Sequence, residues 1–237
     1  MAGHSKWAKI KRGKAVEDAK RGAVFTKLGN QIAVAARSGT DPTMNSTLAM
    51  VIEKAKSANM PAANIQRSID RVKDKNAAAL EEVVYEAYGP GGIGIIVEAA
   101  TDNKNRTFPE VRTALTKNGG TMADPGSVAF QFTRKGVITV AGSGEDALLS
   151  VLDAGAEDAV EEDGEITVYT DQKELGKVRQ AVKDAGLEVK EAELQYVPNN
   201  TIEVTDSEIE RKIMNIMDAV DELDDVTSVH SNFDIKT

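Results

Sequence analysis

Apolar positions in the first 80 residues recur with helical spacing. Phe25, Leu28, Ile32 and Ala35 fall at i, i+3, i+7 and i+10, which predicts one apolar stripe on a helix ending near Ser38-Gly39. Asp41-Pro42 then offers a capping acceptor and a proline for the first helical position of a second helix, whose stripe is Leu48, Val51, Ile52 and Ala55. Asn59-Met60-Pro61 interrupts it, and Ile65, Ile69 and Val72 mark a third helix. Three short amphipathic helices around one small core are expected over residues 1–80, preceded by an arm with little apolar content.

After Lys75-Asn76 the period changes. Val83, Val84 and Tyr85 predict one strand and Ile93 to Ala99 another, joined as a hairpin through Gly89-Pro90-Gly91-Gly92. Asn105 or Thr107 is expected to cap a helix running through Lys117, closed by Gly119-Gly120, and Val128 to Phe132 is expected to be a strand. Residues 135–197 alternate cleanly: a strand at Val137–Val140, a helix at Glu145–Ala154, strands near 157–161 and 165–170 around Asp163-Gly164, a helix at Gln172–Ala185, and a strand at Val189–Val197. That order is β-α-β-β-α-β, the ferredoxin-like split unit. A strand at Ile202–Val204, a helix at Ser207–Leu223 and a strand at Val226–Ser231 complete nothing alone but pair naturally with 82–132.

The expected fold class is therefore α+β, a three-helix domain followed by two α/β sandwich domains. The expected domains are 1–80, basic and helical with its N-terminal arm; 81–133 plus 199–237, a discontinuous α/β domain; and 134–198, an acidic ferredoxin-like domain inserted into it.

Charge sharpens the division. Residues 1–37 hold nine basic side chains against Glu17 and Asp18, and residues 1–80 carry a net +9; residues 81–237 carry −18, within a chain of 237 residues and net charge −9. An 80-residue domain has a radius of gyration of about 12 Å, and charges are screened over about 8 Å at physiological salt. The distant acids are therefore largely screened from the basic end, whose local charge suits a polyanion. Lys6, Lys9, Lys11, Arg12, Lys14, Lys20, Arg21 and Lys27 are candidate phosphate contacts, giving sequence-independent, salt-sensitive affinity. Trp7, the sole tryptophan, sits among these cations. It either stacks on an unpaired base or folds onto the helices, and both readings stay open. Asn105, Arg106 and Arg112 either extend a nucleic-acid-contacting face onto the second domain or cap and pair within it.

Other chemistry finds little support. With no cysteine, disulfides, thiolate metal sites and a cysteine nucleophile are excluded. His4 and His230 lie in different predicted domains without partners at metal-ligand spacing and read as capping or surface residues. The Gly-rich stretch after Tyr88 lacks the Lys-Ser/Thr ending of a phosphate-cradling loop and precedes a strand, so it reads as a turn. Glu157, Asp158, Glu161, Glu162, Asp163 and Glu165 surround a hairpin without fixed ligand spacing and read as a solvated acidic face. No nucleophile arrangement stands out. A non-enzymatic protein without a cofactor or metal is expected. No apolar run approaches the ~20 residues of a membrane span, and the start lacks a secretory apolar stretch. A mitochondrial transit peptide would share the basic character, but this segment is rich in Lys rather than Arg and runs into a capped helical pattern. A cytoplasmic monomer without membrane attachment is expected.

Several phrases resemble the YebC/PmpR family: GHSKWAKIK at 3–11, DAKRGAVFTKL at 18–28, DPTMN at 41–45, KAKSANMPAANIQR at 54–67, YEAYGPGG at 85–92, TDNKNRT at 101–107, VR at 111–112, NGG at 118–120 and GSVAFQFTRKG at 126–136. The resemblance is dense over about the first 136 residues and covers the acidic remainder by layout only. It implies a helical N-terminal domain with two α/β domains and a non-enzymatic role on nucleic acid. Members are described as probable transcriptional regulators, and mitochondrial relatives include the translational activator of cytochrome oxidase. Two partners are thereby implied, duplex DNA near promoters or ribosomal RNA on the ribosome. The residues themselves lean to RNA, since no recognition helix with base-reading Asn, Gln and Arg on one face and no dimer seam is evident. An adaptor whose acidic α/β domains dock a basic protein is the alternative. Two departures stand out: Ala87 where the family usually has Gly, and a connection near 74–82 that is shorter and lacks the usual glycines, leaving the helical domain less freedom to swing.

Overall fold

The computed structural model describes residues 18–74 and 78–235. Its contacts divide the chain into two compact units, one of residues 1–133 with 198–237 and the other of residues 134–197. The mixed α+β class agrees with the sequence patterning.

In the first unit, α1 (Asp18–Ala36), α2 (Ser46–Ser57) and α3 (Ala62–Asp70) enclose a core of Leu28, Ile32, Leu48, Ile52, Ile65 and Ile69. The predicted stripes are the ones buried, except that Val72 lies in a 3₁₀ turn (Arg71–Lys73) and is 40% exposed. The cap of α2 also differs from expectation. Asn45 is the N-cap, its side chain accepting the Leu48 N–H at 3.0 Å while its amide donates to the carbonyls of Ala35 and Gly39, each at 2.8 Å. Asp41 instead forms a local turn by accepting from the Thr43 N–H and hydroxyl. Asn45 wins because one buried amide satisfies the end of α1 and the start of α2 together.

The α/β part of this unit is built from β1 (Glu81–Tyr88), β2 (Gly94–Thr101), α4 (Lys104–Lys117), β3 (Thr121–Met122), a pair β8 (Ile202–Val204) and β10 (Phe233–Ile235), α7 (Ser207–Asp221) and β9 (Val226–Ser231). The sheet order is β3-β1-β2-β9, and β8 pairs with β10 in parallel as a separate two-stranded sheet. Tyr85, Ala87, Ile95, Val97 and Val229 face a core completed by Val111 and Leu115 of α4 and by Ile213, Ile216, Met217 and Val220 of α7. Ala87 is fully buried there.

The opposite face of β2 and β9 is buried too. Ile96 (0% exposed), Ala100 and His230 (both 2%) lie under α1, which packs on β2 and β9. Two-sided burial accounts for the near-continuous apolar run of β2. His230, expected as a capping or surface residue, is instead enclosed, its Nε2 lying 2.9 Å from Glu98 Oε2. The seam under α1 is otherwise polar at its margins: Gln31 donates to the Thr227 carbonyl at 3.3 Å, and Arg37 to the Leu80 carbonyl at 2.8 Å.

The expected strand at Val128–Phe132 is a 3₁₀ turn over Ala129–Gln131, and the strand proper is β4 (Phe132–Ala141). Glu86 decides this. Its carboxylate, 7% exposed, accepts the N–H groups of Gly126 (2.6 Å), Val128 (2.6 Å) and Ala129 (2.8 Å), which cannot then enter a ladder. The turn also packs close to β2: a Cβ on Gly94 would stand 2.8 Å from Val128 Cγ1, so only glycine fits.

The second unit contains most of β4 and β7 (Glu188–Pro198), with α5 (Glu145–Asp153), β5 (Asp158–Glu162), β6 (Glu165–Asp171) and α6 (Leu175–Asp184) between them. Its sheet order β5-β6-β4-β7, with β4/β6 and β5/β6 antiparallel, is the ferredoxin-like arrangement anticipated from the β-α-β-β-α-β order. The β5–β6 turn has both central residues at positive φ, Asp163 at 54° and Gly164 at 77°, as a tight hairpin requires.

Replacing Glu86 by Ala orphans three backbone donors while removing their anion. A loss of about 3 kcal/mol is expected, read as a lowered urea midpoint; a loss below about 0.5 kcal/mol would show that the turn holds itself.

Candidate nucleic-acid interface

Of the cations singled out from the sequence, Lys6, Lys9, Lys11, Arg12 and Lys14, together with Trp7, lie outside the described residues. Lys20 falls on the first turn of α1. Arg21 is exposed on the same helix. Lys27 is different: its side chain is only 14% exposed, and its ammonium lies 3.8 Å from Asp221, so it faces α7 rather than solvent.

The segment after β2 separates the remaining three. Asn103, not Asn105 or Thr107, caps α4 by accepting the Arg106 N–H at 3.2 Å. Placing the cap two residues earlier sends Thr107 inward and Asn105 outward, because successive helical residues turn by about 100°. Thr107 is fully buried and its hydroxyl donates to Asp225 Oδ2 at 2.6 Å. Arg106 is turned the same way, 2.6 Å from the same oxygen and 3.3 Å from Asp102. Thr101 of β2 donates to it as well, at 3.0 Å. Asp225, 8% exposed, is thus held by three donors. Burial alone would raise its pKa, but the bonds from Thr107, Arg106 and Thr101 outweigh it and hold the carboxyl below its ordinary value. Glu86 follows the same logic, its burial overcome by three backbone N–H groups. Asp225 in turn borders a cleft of about 590 Å³ that α1 and Arg71 also line.

Asn105 and Arg112 remain exposed on the outer face of α4. Between them lies Phe108, 42% exposed, which the sequence reading did not single out. Its ring is 5.9 Å from that of Tyr85, tilted at 56°. Lys104 stands four residues before Phe108 and Arg112 four after, so the three share one helical face. Lys104 is paired with Glu81, while Arg112 is exposed. A phenylalanine on an otherwise polar helical face was the signal in the sequence; it became visible only once the cap fixed which face is outward.

The acidic hairpin of the second unit is largely solvated. Glu157 pairs with Lys135 at 3.1 Å, Glu161 accepts the Gly144 N–H at 2.9 Å, and Glu165 pairs with Lys190 at 2.8 Å. Among the described residues no group of three potential ligands could hold a metal ion, and no helix is long and apolar enough to cross a membrane.

Residues 5–75 match the family model for the TACO1/YebC N-terminal domain, and residues 80–233 the model for the TACO1/YebC second and third domain. A relative from Halothermothrix orenii is 46% identical, the alignment covering 99% of this chain and 96% of that protein. One from Gloeothece citriformis is 47% identical with the same coverage. Both are named probable transcriptional regulatory proteins. The crystal structure of a conserved hypothetical protein from Aquifex aeolicus superposes with a TM-score of 0.87 at 39% identity, covering 93% of each chain.

Asp225 and Glu86 are held below their unfolded-state values of about 3.9 and about 4.3, so the unfolded chain binds more protons in acid. The stability they contribute is complete above those values and is lost as pH falls through the folded-state values. Urea midpoints should therefore drop as pH falls below about 5. Asp225→Asn should be about 2 kcal/mol less stable at pH 7 and lose less on acidification; an unchanged acid slope would exclude Asp225 as a contributor.

Proposed function

This chain belongs to the TACO1/YebC family, and from that premise we propose that it is a non-enzymatic, nucleic-acid-binding regulator of gene expression that engages RNA. The observation that carries the proposal is the outer face of α4, where Phe108 stands exposed between Lys104 and Arg112 with Asn105 beside them. An exposed aromatic ring stacks on an unpaired base, and the neighbouring cation meets phosphate. Duplex DNA keeps its bases stacked and offers such a ring nothing comparable. The N-terminal cations Lys6, Lys9, Lys11, Arg12 and Lys14, with Lys20 and Arg21, supply the non-specific share of affinity in this proposal. Lys27 and Arg106, which already face Asp221 and Asp225, serve the fold instead. Ribosomal RNA, rich in loops and flanked by basic proteins, is the target that suits both a cationic end and an acidic body, and it makes a cytoplasmic translation factor the preferred version.

Transcriptional regulation at duplex DNA is the second reading, favoured by the names of the relatives. An adaptor acting through the acidic α/β domains is the third, and it predicts that the cationic positions are dispensable.

Fluorescence anisotropy on an RNA hairpin with an unpaired loop, and on a DNA duplex of matching sequence, distinguishes the three. Phe108→Ala should weaken RNA binding about tenfold, the effect of one lost base stack, while leaving the salt dependence unchanged. Arg112→Glu and Lys9/Lys11/Arg12→Glu should reduce the salt slope. Tighter binding to the duplex, insensitive to Phe108→Ala, would overturn the RNA reading in favour of DNA. Absence of binding to either would leave the adaptor.

A further inference from the structure

Behind Phe108 on the α4 face lies Tyr85 of β1, whose ring stands 5.9 Å from the phenylalanine ring and is inclined to it at 56°. Tyr85 as a whole is only partly buried, but its hydroxyl oxygen is closed off from water and has no hydrogen-bond partner among the described residues. A buried tyrosine hydroxyl ordinarily finds a partner, and one left without costs stability. Tyr88, three residues further along the same strand, shows the usual arrangement, its hydroxyl donating to the Ser127 carbonyl at 2.8 Å. The charges of Lys104 and Asp225 both act on the Tyr85 hydroxyl. Each is committed elsewhere: Asp225 Oδ2 receives Thr101, Arg106 and Thr107, and Lys104 pairs with Glu81. Burial raises the tyrosine pKa against the pull of the Lys104 charge, so the hydroxyl keeps its proton at neutral pH. An intact donor is thus left over beside the exposed ring.

We propose that Tyr85 is the base-selecting residue of the α4 face: when an unpaired base stacks on Phe108, the Tyr85 hydroxyl donates to a carbonyl oxygen on the edge of that base. The selection rests on the RNA reading of this face given above. Phe108 is an exposed side chain on a helix surface, where rotamers exchange in picoseconds to nanoseconds. Turning outward to meet a base, it uncovers the phenol behind it and leaves the core contacts of Val111 and Leu115 in place. The tilt between the two rings keeps them from stacking on each other, so a base lying flat on Phe108 turns its edge to Tyr85. A hydroxyl can donate or accept, and the positive charge of Lys104 beside it favours an oxygen over an amino group at the same place. Uracil and guanine carry a carbonyl where cytosine and adenine carry an amino group, so the first pair is the selected class. The hydroxyl lost its water on folding, and the bond to the base therefore requires no further desolvation of it.

Two RNA hairpins with the same stem and a loop of either uridines or cytidines, titrated with the full chain by fluorescence anisotropy at one salt concentration, test the role of Tyr85. The parent chain should bind the uridine loop about fivefold more tightly, the scale of one neutral hydrogen bond, and Tyr85→Phe should bind the two loops equally. Tyr85→Phe gives up no hydrogen bond of the free protein, so it should melt no lower than the parent. A lower melting temperature would show that the fold already uses the hydroxyl and would overturn the proposal. Phe108→Ala, which removes the stack, should weaken binding to both hairpins and reads the RNA proposal separately. Weakening by Phe108→Ala beside a uridine preference that Tyr85→Phe leaves intact would overturn the role of Tyr85 alone. Equal binding of the two loops by the parent, or tighter binding of the cytidine loop, would do the same. Failure of the parent to bind either hairpin would overturn both readings together.

Discussion

One buried carboxylate organises the end of the first unit where its functional candidates lie. Asp225 stands just before β9, and its Oδ2 receives Thr101 from the end of β2 and both Arg106 and Thr107 from the start of α4. Its own carbonyl accepts the Ala100 N–H at 2.8 Å, fastening the same two strands through the backbone. An anion taken out of water is tolerable only when donors surround it. Asp225 therefore fixes the distance and rotation of α4 against the sheet. Arg106 is consumed in that task, and Asn105, Phe108 and Arg112 are turned outward as a consequence.

The same carboxylate lies at the margin of a second constraint, the burial of β2 on both faces. Helices α4 and α7 cover one side and α1 the other, so the helical bundle is a layer of the first unit rather than an appendage. Its seam combines apolar contact at Ile96 and Ala100 with directed bonds from Gln31 and Arg37. Arg37 reaches the Leu80 carbonyl, just before β1, which ties the short connection itself to α1. The cleft opens along this seam, where α1 and the Asp225 region both contribute lining.

One exposed feature of the first unit departs from what stability alone would select: Phe108 keeps a large apolar surface in water. Two buried polar groups of the same unit collect partners instead: Asn45 uses both ends of its amide, and Glu86 gathers three backbone donors. Such a local departure in an otherwise consistent structure is where function is expected to reside.

Period and punctuation in the sequence determined the elements. Helical stripes, the Asp163-Gly164 turn and the β-α-β-β-α-β order of the second unit were legible because they depend on neighbours in sequence, and β9 was placed to the residue. The basic-then-acidic partition was legible for the same reason, being a property of the chain rather than of its folding. Choices between equivalent local signals were made by tertiary structure. Asn45 displaced Asp41-Pro42 as a cap because it could also reach the end of α1, and Asn103 displaced Asn105 and Thr107 because Thr107 was needed by Asp225, more than a hundred residues away. The apolar run at Val128–Phe132 became a turn because Glu86, forty residues earlier, claimed its N–H groups. Burial of His230, withdrawal of Lys27 from the surface, pairing of Arg106 with Asp225, and exposure of Phe108 belong to this second class. A pattern along the chain records which residues seek water or shelter; which buried charge must find its donors, and which side chains that turns outward, depends on contacts formed only when distant segments meet.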